Sequence, residues 1–214
     1  TQLQAYIHQL LCKNKLENMG ALCRLQCWRK GGRGYAPISR ETEWMAQVSP
    51  LSLNDEPMHL ITAQTSCIPS AALQRRYKLS NGLNYVKAAQ EANSSQCDDA
   101  LMLTIEDFVS ETTSANIFWI NEGKVYTPSD TCDLLPGTTR HFVLKILRKL
   151  KIEIHEGAYP LDELKSAEAA FCTNSLIEIK QVQALDGYEF KVNHPVSLAL
   201  KNAFGLFKQD ALKA

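Results

Sequence analysis

The chain has 214 residues, 45% of them hydrophobic, 8% aromatic and 21% charged, a globular composition well away from that of disordered chains. Twenty-three Lys plus Arg balance 23 Asp plus Glu, so no basic field exists to gather nucleic acid or an anionic membrane surface. No apolar run approaches the roughly 20 residues of a membrane helix, and the opening TQLQAYIHQL lacks the apolar stretch of a signal peptide.

In chain order, Leu3, Tyr6, Ile7, Leu10 and Leu11 recur at helical spacing and predict a helix over residues 2–18, uncapped at its start. Residues 21–29 alternate as a strand, with Cys23, Leu25, Cys27 and Arg29 sharing one face. The two cysteines read as core. Gly31-Gly32-Arg33-Gly34 breaks this strand, and a second is expected over 44–48. The polar, proline-bounded stretch near Ser49 to Pro57 is the best linker. It separates the remainder of a small N-terminal α/β domain (1–49) from a larger C-terminal domain (58–214), across a linker at 50–57.

Beyond the linker, residues 58–65 read as a strand. An extended stretch holding Lys78 precedes a helix over about 82–92. Two hairpins follow, 101–105 with 108–111 and 116–120 with 124–127, the second turning at Asn121-Glu122-Gly123. Pro136-Gly137-Thr138-Thr139 opens a helix to Leu150, with Phe142, Val143, Ile146 and Leu150 on its inner face. Ile152 and Ile154 alternate as a strand, 161–167 is a short helix, 169–173 a strand, and an amphipathic helix closes 195–214. The expected architecture is α/β (α+β) in two lobes, the first too small to close its own sheet.

Several residues could carry chemistry, and each has a plainer reading. Lys78 is either a solvated amine or a nucleophile, and Asn81, Gly82 and Asn84 beside it allow close backbone approach. Thr138 and Thr139 are either a plain helix start or an anion cradle, since free N–H groups and the helix dipole favour phosphate there. Glu111 enters the run Thr112-Thr113-Ser114-Ala115-Asn116; a solvated carboxylate is the default, and a buried one needs a cationic or proton-bearing partner. Thr173-Asn174-Ser175 is a polar turn after a buried strand. If the register of the first strand holds, Arg29 points inward and wants an anionic partner such as a bound carboxylate; otherwise it turns out to water. Seven cysteines, an odd number without a CxxC pair, point to a reducing, cytoplasmic setting. The five histidines form no metal-ligand spacing, so no metal is expected.

Six segments occur in order: WRKGGRGY, KLSNGLNYVKAAQEA, DDALMLTIEDFVSETTSANIFWI, TP, LLPGTTR and FCTNSL. Together they resemble the class IV (fold-type IV) aminotransferases, pyridoxal 5′-phosphate enzymes that include branched-chain and D-amino-acid aminotransferases and 4-amino-4-deoxychorismate lyase. The resemblance implies a two-lobed fold with cofactor bound in the C-terminal domain. It implies that Lys78 forms the aldimine with the cofactor and shuttles the proton. Glu111 then faces the pyridine nitrogen and keeps it protonated. Thr138 and Thr139, with Asn174 or Ser175 nearby, hold the phosphate; Ser114, Ala115 and Asn116 line the cofactor; and Leu135 packs on its ring. Arg29 and Tyr35 fall where relatives bind the substrate carboxylate or shape its pocket. The family begins with a strand-rich segment ending in a helix with a His-x-x-Arg-Leu motif whose arginine grips the phosphate. The sequence starts beyond the point where that motif would stand, so either the sequence is truncated or the protein lacks this phosphate anchor, and the uncapped start favours truncation.

Three functions follow. The first moves an amino group between an amino acid and a 2-oxo acid. The second splits aminodeoxychorismate into p-aminobenzoate and pyruvate, favoured by the loops Gly32-Arg33-Gly34-Tyr35 and Thr173-Asn174-Ser175-Leu176. A third, a non-catalytic cofactor-binding protein, is opposed by the presence of Lys78 together with Glu111. The resemblance also implies a homodimer, with small-molecule substrates and neither nucleic-acid nor membrane partners.

Overall fold

A computed structural model describes residues 2–31 and 39–213, and the chain divides into two compact units, Thr1–Asn54 and Asp55–Ala214. In the first unit, helix α1 (Gln2–Lys13) packs on a hairpin of β1 (Ala21–Arg29) and β2 (Thr42–Pro50). These strands pair antiparallel over their whole length, from Ala21 opposite Pro50 to Arg29 opposite Thr42. The inward face expected for β1 is absent: Cys23, Leu25, Cys27 and Arg29 are all exposed. Two strands and one helix cover too little area to bury a sheet face. Leu16 is the single buried hydrophobic residue among those described in this unit.

The second unit contains β3 (Met58–Thr62), α2 (Leu83–Ser94), β4 (Asp99–Leu103), β5 (Val109–Thr112), β6 (Asn116–Asn121) and β7 (Lys124–Pro128). These are followed by α3 (Thr138–Lys149), β8 (Ile154–Gly157), α4 (Leu161–Lys165), β9 (Ala169–Asn174), β10 (Glu178–Leu185), β11 (Tyr188–Glu189) and α5 (Pro195–Lys213). The strands form one sheet whose hydrogen bonding closes on itself, running β10–β3–β4–β5–β6–β9 and back to β10. Strand β3 lies parallel to β10 and β4, while β7 and β8 extend the sheet from β6.

Strand β6 explains the layering. Its sequence Asn-Ile-Phe-Trp-Ile-Asn is apolar at successive positions, the pattern of a strand covered on both faces. Ile117 and Trp119 enter a cluster inside the closed sheet with Leu101, Val109 and Cys172. Phe118 and Ile120 face the other way, toward Val143 and Leu147 of α3 and Leu200 of α5. The Phe118 and Phe171 rings stack there at 5.0 Å. On α2, Ala88 and Ala92 pack on Ala100 and Met102. Leu150 caps α3 and is 39% exposed, so Leu144 and Leu147 take the inner-face position expected of it.

Strands β10 and β11 go beyond the expected elements. Ile179 packs on one face of β10 and Val182 on the other, and a register irregularity between Val182 and Ala184 returns Leu185 to the Val182 side, so the buried positions fall three apart and hide the period of two.

Candidate active site

The loop from β3 to α2 carries Arg75 and Lys78, and its course is set by Asp133. Asp133 Oδ1 accepts the Ser70 N–H at 2.7 Å, and its carbonyl accepts Arg75 Nε–H at 3.4 Å. Arg75 is thereby turned inward, 6% exposed, whereas its neighbour Arg76 is exposed. Its guanidinium lies 4.9 Å from the centre of the Tyr85 ring and donates to Glu111 Oε1 at 3.2 Å.

Glu111 is 5% exposed at the end of β5. Four donors converge on it: Arg75 Nη2 at 3.2 Å and the Tyr85 hydroxyl at 2.7 Å on Oε1, Asn116 Nδ2 at 3.3 Å and the Leu135 N–H at 3.0 Å on Oε2. Burial pushes its carboxyl up to about 7, against the opposing pull of the Leu135 N–H, Arg75 and Lys78. The buried-carboxylate alternative, with its cationic partner, is therefore the one realised.

One cleft brings Lys78, Glu111, Ser114 and Leu135 together with Arg75 and Tyr85. Lys78 and Ser114 are exposed at its mouth, and Glu111 is buried. Asn116 sits beside it, bonded to Glu111 and donating to the Leu135 carbonyl at 2.8 Å. Ala115 departs from the expected lining position and is buried in the core, because its N–H is turned onto Thr112 Oγ1 at 3.0 Å.

Helix α3 begins where Gly137 abuts Asn116; a Cβ on Gly137 would collide with Asn116 Oδ1. Gly137 is also the N-cap and offers no side-chain acceptor, so the first turn at Thr138 and Thr139 starts without a cap of its own. Thr138 is exposed and Thr139 buried. Asn174 uses its side chain locally: Nδ2 donates to the Ser114 carbonyl at 3.0 Å, and Oδ1 accepts the Leu176 and Ile177 N–H groups. Ser175 is exposed next to it.

Arg29 lies in the first unit, exposed at the end of β1. Tyr35, with Gly32-Arg33-Gly34, lies outside the described residues.

Arg75 and Tyr85 went unmarked in the sequence. Nothing in periodicity separates Arg75 from Arg76; Tyr85 stands inside the quoted KLSNGLNYVKAAQEA segment, where its hydroxyl could have been noted.

Two groups near the site are left unsatisfied. Thr173 Oγ1 is buried without a hydrogen-bond partner, and so are both amide atoms of Asn84. Thr173 pairs with Asn116, which pairs with Glu111, so the three side chains share one face of the sheet.

A model of the amino-transferase class IV family matches residues 1–185. The chain belongs to that family. It is 35% identical over 159 residues to branched-chain-amino-acid aminotransferase-like protein 2 of Arabidopsis thaliana, covering 72% of this chain and 28% of that one. Among solved structures, one from Legionella pneumophila assigned as a 4-amino-4-deoxychorismate lyase superposes with a TM-score of 0.84 at 29% identity, over 96% of this chain and 75% of that one. The branched-chain amino acid aminotransferase of Thermobaculum terrenum, solved in its PLP-bound holo-form, gives 0.83 at 26% identity, over 95% and 68%. The chain spans 28% to 63% of the length of the curated relatives it matches. No helix among the described residues is long and apolar enough to cross a membrane.

Proposed function

We propose that this chain forms the cofactor-binding part of a pyridoxal-phosphate-dependent aminotransferase that moves an amino group between an amino acid and a 2-oxo acid. The observation behind this reading is the single cleft shared by Lys78 and the buried, four-fold bonded Glu111. Its donor set suits such a cofactor, with an amine at the mouth and a carboxylate at the base, and the chain runs from Leu135 in its wall to the start of α3, whose first turn lacks a side-chain cap. The partnerless Thr173 hydroxyl on the same sheet face supports it further.

Pyridoxal phosphate, when bound, supplies the aldehyde that takes up an amine and the ring that accepts the electron pair left at the substrate's α-carbon. The rest is the chain's work. Lys78 is the nucleophilic amine and the base at the α-carbon proton. Glu111 holds a proton on the ring nitrogen, and Arg75 and Tyr85 keep its carboxylate aimed. Leu135 would pack against the cofactor, and Ser114, Ala115 and Asn116 would belong to the segment that lines it. Thr138, Thr139, Asn174 and Ser175 hold the phosphate. Arg29 and Tyr35 take the substrate carboxylate, a role supported by the family resemblance alone. In this reading the protein is a cytoplasmic homodimer whose small N-terminal domain (1–49) joins the cofactor domain (58–214) through residues 50–57.

A second reading, lyase action on 4-amino-4-deoxychorismate, is favoured by the similarity to the Legionella pneumophila structure. Borohydride reduction of protein mixed with pyridoxal phosphate, followed by peptide mapping, tests the site. The label is expected on Lys78 and lost in Lys78→Ala; a label on Lys87 or no label overturns the assignment. Product analysis with an amino-acid panel plus 2-oxoglutarate, and separately with aminodeoxychorismate, then separates the two reactions.

A further inference from the structure

The turn between β5 and β6 joins the two side chains that shape the base of the cleft, Glu111 before it and Asn116 after it. Two devices inside the turn hold its own backbone: Thr112 N–H donates to the Ala115 carbonyl at 2.8 Å, and Thr112 Oγ1 accepts the Ala115 N–H. Neither device fixes where the turn lies against the rest of the sheet. Two backbone-directed bonds tie it there, the Thr113 N–H to the Ala100 carbonyl at 3.1 Å and Asn174 Nδ2 to the Ser114 carbonyl at 3.0 Å, and the largest set of bonds comes from Asp99 at the start of β4, a side chain 5% exposed. Asp99 Oδ1 accepts the Ala100 N–H at 2.8 Å, the Thr113 N–H at 3.2 Å and the Thr113 hydroxyl; Oδ2 accepts the Ser114 hydroxyl at 3.0 Å.

Every one of these bonds has an ionisable carboxyl group as acceptor, the stronger kind of hydrogen bond when that group is charged. Thr113 and Ser114 form one wall of the cleft that holds Lys78 and Glu111, and behind them is a second cavity of about 300 Å³ that Asp99 also lines. The turn is thus a thin partition with open volume on both sides, so packing alone does not hold it.

We infer that Asp99 is a positioning residue: by clamping Thr113 and Ser114 it presets the spacing of Glu111 and Asn116 and so the affinity of the cleft for its cofactor. This rests on the reading of the cleft as a pyridoxal-phosphate site. Asp99→Ala removes every bond made by the Asp99 carboxyl and leaves the turn with the Thr113–Ala100 and Asn174–Ser114 bonds. Asp99→Asn keeps the Oδ1 acceptor and can donate to Ser114 Oγ, whose hydroxyl rotates to accept, so it restores geometry without charge.

The test measures two quantities on the full chain, for the wild type and both variants. These are the hydrogen-exchange rates of the 113–115 amides without cofactor, and the dissociation constant for pyridoxal phosphate at a temperature well below unfolding. In Asp99→Ala the amides are expected to exchange at least about ten-fold faster and the dissociation constant to rise roughly ten-fold. Asp99→Asn is expected to return both to within about three-fold of the wild type. Should Asp99→Ala fail to fold, Thr113→Val, which deletes one clamp donor at constant shape, replaces it, with an expected loss of about three-fold. Unchanged exchange, or faster exchange with unchanged affinity, overturns the inference while leaving the cofactor reading standing. A wild type that does not bind pyridoxal phosphate overturns both, and that result is read separately from any variant.

Discussion

Glu111 combines a low-polarity position with four donors, and the balance of the two shows in its titration. Burial pushes its folded-state carboxyl up to about 7, from an ordinary value of 4.5. Between those values the folded protein holds a proton that the unfolded chain has released, so the contribution of this group to stability is fully present below 4.5 and is lost as the pH rises through 7. The loss attributable to this one group is about 3 kcal/mol. Glu111→Gln removes the titration while keeping acceptor and shape. Denaturant unfolding of both proteins at pH about 4.5 and about 7.5 is expected to show the wild type losing that amount relative to the variant. Parallel pH profiles would mean that the four donors hold Glu111 ionised throughout. The need for a partner was legible at this scale, but its identity was not. Arg75 and Arg76 are adjacent and chemically identical, and only the Asp133 carbonyl and carboxylate decide which one turns inward.

Elements show the same division. The α3 start was legible as Pro-Gly-Thr-Thr, and its buried stripe follows from helical spacing. What the sequence could not reveal is that Gly137 is needed for space. Its φ of −65° is open to any residue, but a Cβ there would strike Asn116 Oδ1, and Asn116 is held by Glu111 and Leu135. Gly137→Ala is therefore expected to cost about 1–3 kcal/mol of stability, as overpacking does, in the same direction as alanine's poorer fitness at an N-cap. The same variant should weaken pyridoxal phosphate binding by displacing Asn116. Urea unfolding and a cofactor titration measure the two effects. An unchanged or stabilised variant would show that Asn116 gives way to the added methyl at no cost. Strand β10 was missed for a related reason: its bulge is a property of pairing with β3, and local sequence carries no trace of the partner.

On the scale of the whole molecule, the two units differ in how much they bury, and the cysteines report it. Cys12, Cys23 and Cys27 in the first unit are exposed, whereas Cys67, Cys132 and Cys172 in the second are buried and Cys97 is intermediate. Burial also pushes the Cys67 thiol up to about 11 and the Cys172 thiol well above its ordinary value. A thiol reagent added to the native chain is expected to modify Cys12, Cys23 and Cys27 quickly, Cys97 slowly, and the remaining cysteines only after denaturation, as mass spectrometry of the labelled peptides would show. Protection of Cys23 and Cys27 in solution would show that a surface covers the β1 face.

By itself the sequence determined the order of most elements, the family, and the candidate lysine and glutamate, because local periodicity, turn chemistry and motif order are written along the chain. Tertiary structure decided what depends on neighbours distant in sequence. It closed the sheet through β9 and β10 and left the β1 face exposed. It turned Arg75 rather than Arg76 toward Glu111, and it moved Ala115 from the cleft into the core. It also brought Asp99 to the turn after β5, which lies next to it only across the paired strands β4 and β5. Hydrogen bonds and burial between such distant segments form only once the chain has folded, so no window of the sequence contains both partners.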